Sequence, residues 1–485
     1  MCGILGFSST TVFFSHKKFQ ANLSLLDHRG PDHQDFWMDD AEKNFMGFTR
    51  LSIMDLTESG NQPMVSNCGK YRLIFNGEIY NQLLLKNQLV ECNYKFNSRS
   101  DAEVLLNSYI EWGKDCFKKF EGMFACAIYD IDRMELVLAR DISGQKPLYF
   151  YQKNETLAYA SELKPLVESI DKAKKINLNA LNHYLGNGYI PKKESIYVDF
   201  QKLRGGEYLI YNTKTGTHKI KNFWKLSNSI EKEKNTNRFS NKSQLRDKLE
   251  NLLESSVQRQ LVSDAPLGMM LSGGVDSSLM VALASRHINK LDTYTVVFPG
   301  NNNYNEQKFA KLISKKFKTN HHELNAELIE PELIEKLVYF YDEPMADSSM
   351  MPTYLLSKEM SKYCKVAIGG DGADELFGGY NHYGKLMDLY SFSKFLPAKL
   401  RKNLITYSLK LLPNDFRGKK TMELFGQDLV KMNYSSSLMF NIDERKILLK
   451  NNQDMVKNIT FNSDLDFIPE ADLIKRMTVN DFQNY

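Results

Sequence analysis

The sequence is poor in several things at once. Its six cysteines, at positions 2, 68, 92, 116, 126 and 364, include no CxxC pair and are too sparse for a disulfide framework. Nine histidines are scattered, only His321 and His322 are neighbours, and no zinc-ligand spacing appears. No apolar run reaches the ~18 residues that a membrane-spanning helix needs, so none is expected. The net charge of +4, from 63 basic and 59 acidic side chains, excludes the concentrated basic face of a nucleic-acid-binding protein. There is no internal repeat and no low-complexity tract. The start, MCGILGFSSTTVFFSHKK, lacks the basic segment and small-residue cleavage site of a signal peptide, so a cytoplasmic location is expected. What remains is a soluble globular balance, 42% hydrophobic and 25% charged over 485 residues. At ~150 residues per domain that length suggests about three domains, or two large ones.

The first half reads as strands with a few helices. Segments 71–75, 124–130, 135–139 and 148–151 are short, apolar and rich in β-branched and aromatic residues, with a turn at Asp130–Arg133. This meander predicts an antiparallel sheet. Helices are expected at about 79–91 and 101–112, the second with a capping box of Ser100 and Glu103 and an end at Gly113. Residues 228–243 are polar and aperiodic and read as a linker. Beyond them Leu245, Leu249, Leu252, Leu253 and Val257 share one helical face. Strands at 267–271, 293–298, 321–324 and 365–369 then alternate with helices at 277–288, 305–317, 331–340 and 349–361. Such alternation predicts a parallel sheet covered by helices.

Two places carry chemistry. Cys2 follows the initiator Met1, and its small side chain favours removal of Met1 by aminopeptidase. A free N-terminal cysteine combines an amine titrating near ~7.7–8.0 with a thiol near ~8.5, a base and a nucleophile on one residue. A small buried hydrophobe is the plainer account of Cys2 alone. It stands, however, at the head of an ordered set: CGILG at 2–6, HRGPD at 28–32, RLSIMD at 50–55, NGEIYN at 76–81 and SRSDAE at 98–103. This set resembles the class II glutamine amidotransferases, whose N-terminal nucleophile domain liberates ammonia from glutamine. The resemblance implies Cys2 as nucleophile and Asn76 with the Gly77 N–H as oxyanion hole. It also implies Arg50 on the glutamine carboxylate, and Glu78 and Asp101 on its ammonium. Singly, Arg50 could be a surface charge, Asp101 a first-turn helix residue, and Asn76-Gly77 a hairpin turn.

The second place is LGMMLSGGVDSSL at 267–279, an apolar strand running into a glycine loop and a helix. Converging N–H groups and a helix N-terminus suit an anion, and the GK[ST] ending of a Walker loop is missing. It resembles the loop of the ATP pyrophosphatase family, which cleaves ATP between the α- and β-phosphates. A third fragment, VAIGGDGADELFGGY at 366–380, again ends a strand in a glycine-rich acidic loop.

Together the two motif sets resemble the glutamine-dependent asparagine synthetases over essentially the whole chain. The resemblance implies two domains. Residues 2–227 would form the glutaminase, with antiparallel sheet layers flanked by helices, and 228–243 the linker. Residues 244–485 would form a parallel-sheet α/β synthetase domain. It places ATP on Leu271, Ser272, Gly273, Gly274, Asp276, Ser277, Val297, Gly369 and Gly370. The acceptor falls at Asp371 and Asp374, and Mg²⁺ on Asp276 and Asp374. Glutamine and a carboxylate, aspartate first, are the implied partners, and a homodimer is an open assembly. Two departures stand out. Asp371 occupies a loop position where these enzymes carry Glu, and the segment 342–354 resembles a subgroup with bacterial surface-polysaccharide functions. The acceptor is therefore aspartate, a sugar uronic acid or another cell-wall carboxylate. The family also continues past a segment like MTVNDFQNY at 477–485 into a catalytic lysine loop. On that reading the chain hydrolyses glutamine and couples it poorly to synthesis. A glutaminase alone and a non-catalytic binding protein are the alternatives.

Overall fold

The structure, a computed structural model, describes all residues except 12–13, 171–173, 192, 235–240, 298–305, 326–330, 414–415, 417, 427–438, 457–467, 469–471 and 485. Contact density groups residues 1–177 with 193–370, and residues 178–192 with 371–485.

In the first unit, strands β1 (Gly3–Ser9), β2 (His33–Met38), β3 (Asn44–Arg50), β4 (Met64–Val65), β5 (Tyr71–Ile79) and β6 (Gly122–Asp130) open the chain. β7 (Glu135–Arg140), β8 (Tyr149–Lys153), β9 (Thr156–Ala160), β10 (Phe200–Lys202), β11 (Glu207–Asn212) and β12 (His218–Asn222) follow. Among the described residues they build two six-stranded sheets, β10-β8-β9-β1-β3-β2 and β12-β11-β7-β6-β5-β4. The pairings within both sheets are antiparallel, as the meander predicts. Between the sheets lies one core, in which Ile4, Met46, Phe48 and Tyr159 of one meet Ile74, Ala127, Leu138 and Tyr211 of the other. Helices cover both outer faces. Leu85, Leu89, Leu105 and Tyr109 pack on the β5–β6 sheet, and Phe19, Leu23 and Leu166 on the β1–β3 sheet. Alternating side chains on each strand feed an inner and an outer core, so both faces are apolar and four layers result.

The same unit carries a parallel sheet of β13 (Leu267–Met270), β14 (Asp292–Val297), β15 (Asn320–Asn325) and β16 (Val366–Ile368), in the order β15-β14-β13-β16. Helices Val275–Ala284, Gln307–Phe317, Pro331–Tyr341 and Met350–Met360 alternate with these strands, as the sequence predicts. Three expectations shift. Residues 228–234 of the expected linker are helical rather than irregular, within Leu226–Lys234, and 235–240 lie outside the described residues. Of the apolar stripe on helix Lys242–Gln260, Val257 is buried and Leu253 packs against the same core, while Leu245, Leu249 and Leu252 are exposed. Ser100 caps helix Asp101–Trp112 through the Ala102 N–H. The capping box does not close, because Glu103 instead accepts from the N–H groups of Asn97 and Ser98.

The second unit is helical in its described part, with helices Leu178–Asn187, Asn381–Ser393, Ala398–Leu411 and Leu473–Asn484 among its elements. Tyr383, Leu386 and Met477 form its buried cluster, and Arg445 donates to Asn182 Oδ1 at 2.7 Å. Among the described residues no helix of the chain is long and apolar enough to cross a membrane.

Candidate active sites

β1 begins one residue after Cys2, so the strand that anchors the inter-sheet core also fixes the cysteine. Gly3 is obligatory there, since a Cβ would stand 2.6 Å from Thr49 Oγ1. Cys2 Sγ accepts the Leu51 N–H at 3.4 Å and faces the Leu51 carbonyl at 3.7 Å, while the Cys2 carbonyl accepts from Arg29 Nε at 3.0 Å. Burial pushes the Cys2 thiol up, against the Leu51 hydrogen bond. Burial, with Arg29 and Lys146 nearby, lowers the α-amine of Met1 to about 5, so that amine is neutral at pH 7.

Asn76, Gly77 and Glu78 are not in a turn. They lie inside β5, opposite Ala125, Phe124 and Met123 of β6. Alternation puts Asn76 and Glu78 on the face of Ile74, which belongs to the inter-sheet core that Cys2 also joins. Asn76 is 1% exposed, and its Nδ2 has no hydrogen-bond partner among the described residues. Gly77 faces the other way with no room for a side chain, because a Cβ would fall 2.2 Å from the Met123 carbonyl oxygen. Asp101, the first residue of its helix, accepts the Ile79 N–H at 2.9 Å and lies within hydrogen-bonding reach of Glu78. Burial raises both carboxyls, Asp101 to about 6, and Asp101 adds repulsion at Glu78. Two acids held this way share a proton.

Arg50 is buried and largely committed to the protein itself. Its Nη1 donates at 2.7 Å to both the Thr57 carbonyl and Asn61 Oδ1, and its Nη2 to the carbonyls of Met54 and Asp55. The guanidinium thus ties down the loop after β3 while facing Cys2 electrostatically. Arg50→Ala is expected to lower stability by about 3 kcal/mol or more, since hydrogen bonds to a buried charge are worth ~1.5–3 kcal/mol each. That corresponds to a melting temperature roughly 6–12 °C lower, along with a raised KM for glutamine. An unchanged melting temperature would mean that the loop does not depend on Arg50.

One residue the sequence reading missed is Lys146. It is 6% exposed, and burial lowers its ammonium, which acts electrostatically on Cys2, Glu78 and the N-terminus. The usable signal is the turn Asp141–Lys146, where the Asp141 carboxylate accepts the N–H groups of Phe124, Gln145 and Lys146 at 3.0–3.1 Å. That turn delivers a buried lysine to the surroundings of Cys2.

The nucleotide-type motifs gather at the carboxyl ends of the parallel strands. Leu271 is buried just after β13, and its N–H donates to the Tyr294 carbonyl of β14 at 2.8 Å. Gly273 has φ +84°, and a Cβ there would stand 2.5 Å from Phe309 Cβ, so both backbone and space require glycine. Gly274 caps helix Val275–Ala284, with Asp276 in its first turn. Ser272 Oγ meets Ser277 Oγ at 2.9 Å and the Gly274 N–H at 3.3 Å, closing the loop on itself. Val297 ends β14, Gly369 and Gly370 follow β16, and a Cβ on Gly370 would stand 3.1 Å from both Asp276 Cβ and the Ser277 N. Gly370 therefore lies against the start of the helix that follows the loop. Asp371 and Asp374 belong to the second unit, where Gly372 at φ +86° starts the short helix Ala373–Phe377 and Asp374 sits in its first turn. Among the described residues no group of three or more His, Cys, Asp or Glu is gathered as a metal cluster.

Residues 1–224 match the family model described as a glutamine amidotransferase domain, and residues 248–485 match the one described as asparagine synthase. A putative glutamine-hydrolysing asparagine synthetase 2 of Methanocaldococcus jannaschii is 34% identical over 425 residues, covering 83% of this chain and 79% of that protein. The glutamine-hydrolysing asparagine synthetase 1 of Bacillus subtilis is 32% identical over 464 residues, covering 93% and 70%. With an N-terminal cysteine at one site and a glycine loop on a parallel sheet at the other, the chain belongs to the glutamine-hydrolysing asparagine synthetase family, carbon–nitrogen ligases with glutamine as amido donor.

Proposed function

We propose that this chain transfers the amide nitrogen of glutamine to a carboxylate activated by ATP, with aspartate as acceptor. The observation that carries the first half is the buried, unpartnered Nδ2 of Asn76 on the strand face that Cys2 and Glu78 share. A donor left idle in the resting protein is suited to a charge that exists only during reaction. With Met1 removed, the Cys2 amine takes the thiol proton and Sγ attacks the glutamine amide carbon. Asn76 Nδ2 and the Gly77 N–H hold the oxyanion. Its collapse expels ammonia, protonated by the same amine, and leaves a thioester that water hydrolyses to glutamate. The proton-sharing pair Glu78 and Asp101 takes the glutamine ammonium in place of its proton.

In the second half the loop Ser272–Ser277 cradles the ATP phosphates by backbone N–H groups and the helix N-terminus, with Leu271, Val297, Gly369 and Gly370 as its floor. The acceptor carboxylate attacks the α-phosphorus. Pyrophosphate leaves, and ammonia then displaces AMP. Asp276, in the first turn of the helix that follows the loop, offers a hard carboxylate oxygen of the kind that would suit Mg²⁺, whose charge would offset that of the phosphates. Exchange of labelled pyrophosphate into ATP, run with a panel of carboxylates, tests the reading. Exchange is expected with aspartate. Exchange with a uronic acid and not with aspartate would move the acceptor to a sugar, and ammonia release without exchange on any carboxylate would leave a glutaminase.

A further inference from the structure

A nucleophile at a chain end lacks a preceding residue to hold it, so its backbone must be fixed from the side. Here the Cys2 carbonyl is held by Arg29 Nε, and Arg29 Nη1 donates to Glu162 Oε1 at 3.0 Å. His28 Nε2 approaches the same oxygen at 2.8 Å, and Lys164 Nζ faces the other oxygen at 3.5 Å. Although burial opposes ionisation of Glu162, His28 and Arg29 hold its carboxyl below the usual range. Lys164 then pairs with Asp342, its Nζ at 2.9 Å from Oδ1 and its backbone N–H donating to Oδ2 at 3.0 Å. Every side chain in this relay is nearly buried: Arg29 9%, Glu162 8%, Lys164 13% and Asp342 7% exposed. Such charges cannot be left single without a large penalty.

Asp342 follows helix Pro331–Tyr341 with φ +61°, a left-handed conformation that few L-residues adopt and that Asn and Gly fill most readily. Aspartate shares this tolerance, and here its carboxylate is turned onto Lys164. Its neighbour Glu343 goes elsewhere. It accepts from the Ile196 N–H at 2.9 Å, Lys202 Nζ at 2.7 Å and Tyr149 OH at 3.3 Å, and none of these three hydrogen bonds joins Lys164, Glu162 or Arg29.

We propose that Asp342, together with Glu162, is a positioning residue for the Cys2 nucleophile, acting through Lys164 and Arg29. This places a residue of the synthetase half in control of glutamine hydrolysis, and it rests on the reading of Cys2 as the nucleophile. Two adjacent, equally buried carboxylates give the test its internal comparison. In the full chain, Asp342→Asn keeps the shape and tolerates the left-handed backbone. It is expected to lower the kcat of ammonia release about 10–100-fold, with the KM for glutamine within about threefold, because a misplaced reacting atom loses rate rather than binding. Glu343→Gln breaks a comparable ion pair and is expected to stay within about threefold of the parent kcat. Should Asp342→Asn fail to fold by circular dichroism, Glu162→Gln asks the same question from the other end of the relay. Wild-type kcat in folded Asp342→Asn, or equal losses in the Asp342 and Glu343 variants, would overturn the proposal. Ammonia release persisting in Cys2→Ala would instead remove the reading beneath it.

Discussion

Cys2→Ala is expected to abolish ammonia release from glutamine while the protein stays folded. The thioester needs a thiol, and the other cysteines lie elsewhere: Cys68 and Cys92 are exposed, Cys116 and Cys126 belong to the core under the helices on the β5–β6 sheet, and Cys364 packs beside the parallel sheet. Losing the nucleophile removes the route altogether rather than slowing it. The fold should survive, because among the described residues the polar contacts of Sγ are the two with Leu51, both longer than 3.3 Å. Burial holds the thiol in its protonated form, so activity depends on an amine able to accept that proton. In the chain with Met1 in place the amine belongs to the wrong residue. An N-terminal extension that blocks removal of Met1 is therefore expected to reproduce the alanine variant, which mass spectrometry of the N-terminus alongside ammonia assays will show. Retained ammonia release in purified Cys2→Ala would refute the assignment.

Much of this was legible in the chain because it is local. The short apolar segments at 71–75, 124–130 and 135–139 are strands, and the alternation after residue 267 is a parallel sheet. In each case the pattern within one segment reports the face it buries. Asn76-Gly77 shows the limit of that logic. An Asn-Gly pair favours a turn taken alone, but β6 pairs across it for its whole length, and ladder hydrogen bonds override the local preference. Ser100 and Glu103 have capping-box spacing, yet Glu103 finds the N–H groups of Asn97 and Ser98, which no spacing rule weighs. Arg50 reads as a free fork for a carboxylate until the loop 54–61 closes around it. What stays hidden is long-range pairing of charge. Asp342 meets Lys164 from 178 residues away, and Lys365 meets Asp32 at 2.7 Å from 333 residues away. Each partner alone looks like a solvated side chain; the fold pairs them, and it buries Lys164 with Asp342 while Lys365 and Asp32 stay partly exposed.

Asn76→Ala is expected to slow glutamine turnover about 10²–10³-fold, the usual loss when one oxyanion donor is removed. The structure sharpens why the effect should fall on rate alone. Nδ2 is buried and idle in the resting protein, so the side chain contributes no hydrogen bond from that atom to stability. A buried donor without a partner carries a penalty of about 1–3 kcal/mol, which the protein tolerates where the donor is used at another moment of the cycle. That moment is the tetrahedral oxyanion, since a ground-state amide carbonyl bears too little charge to account for an effect of this size. The variant should therefore keep its melting temperature and its KM, in contrast to Arg50→Ala, which should lose both. Asn76→Asp separates charge from shape. It preserves the volume but sets a carboxylate against a developing negative charge, and is expected to be slower still than alanine. Gly77→Ala is not a comparable probe, because its Cβ would strike the Met123 carbonyl and disturb the strand itself. A raised KM with unchanged kcat in Asn76→Ala would place the amide on the ground-state substrate, and the oxyanion would then need another donor.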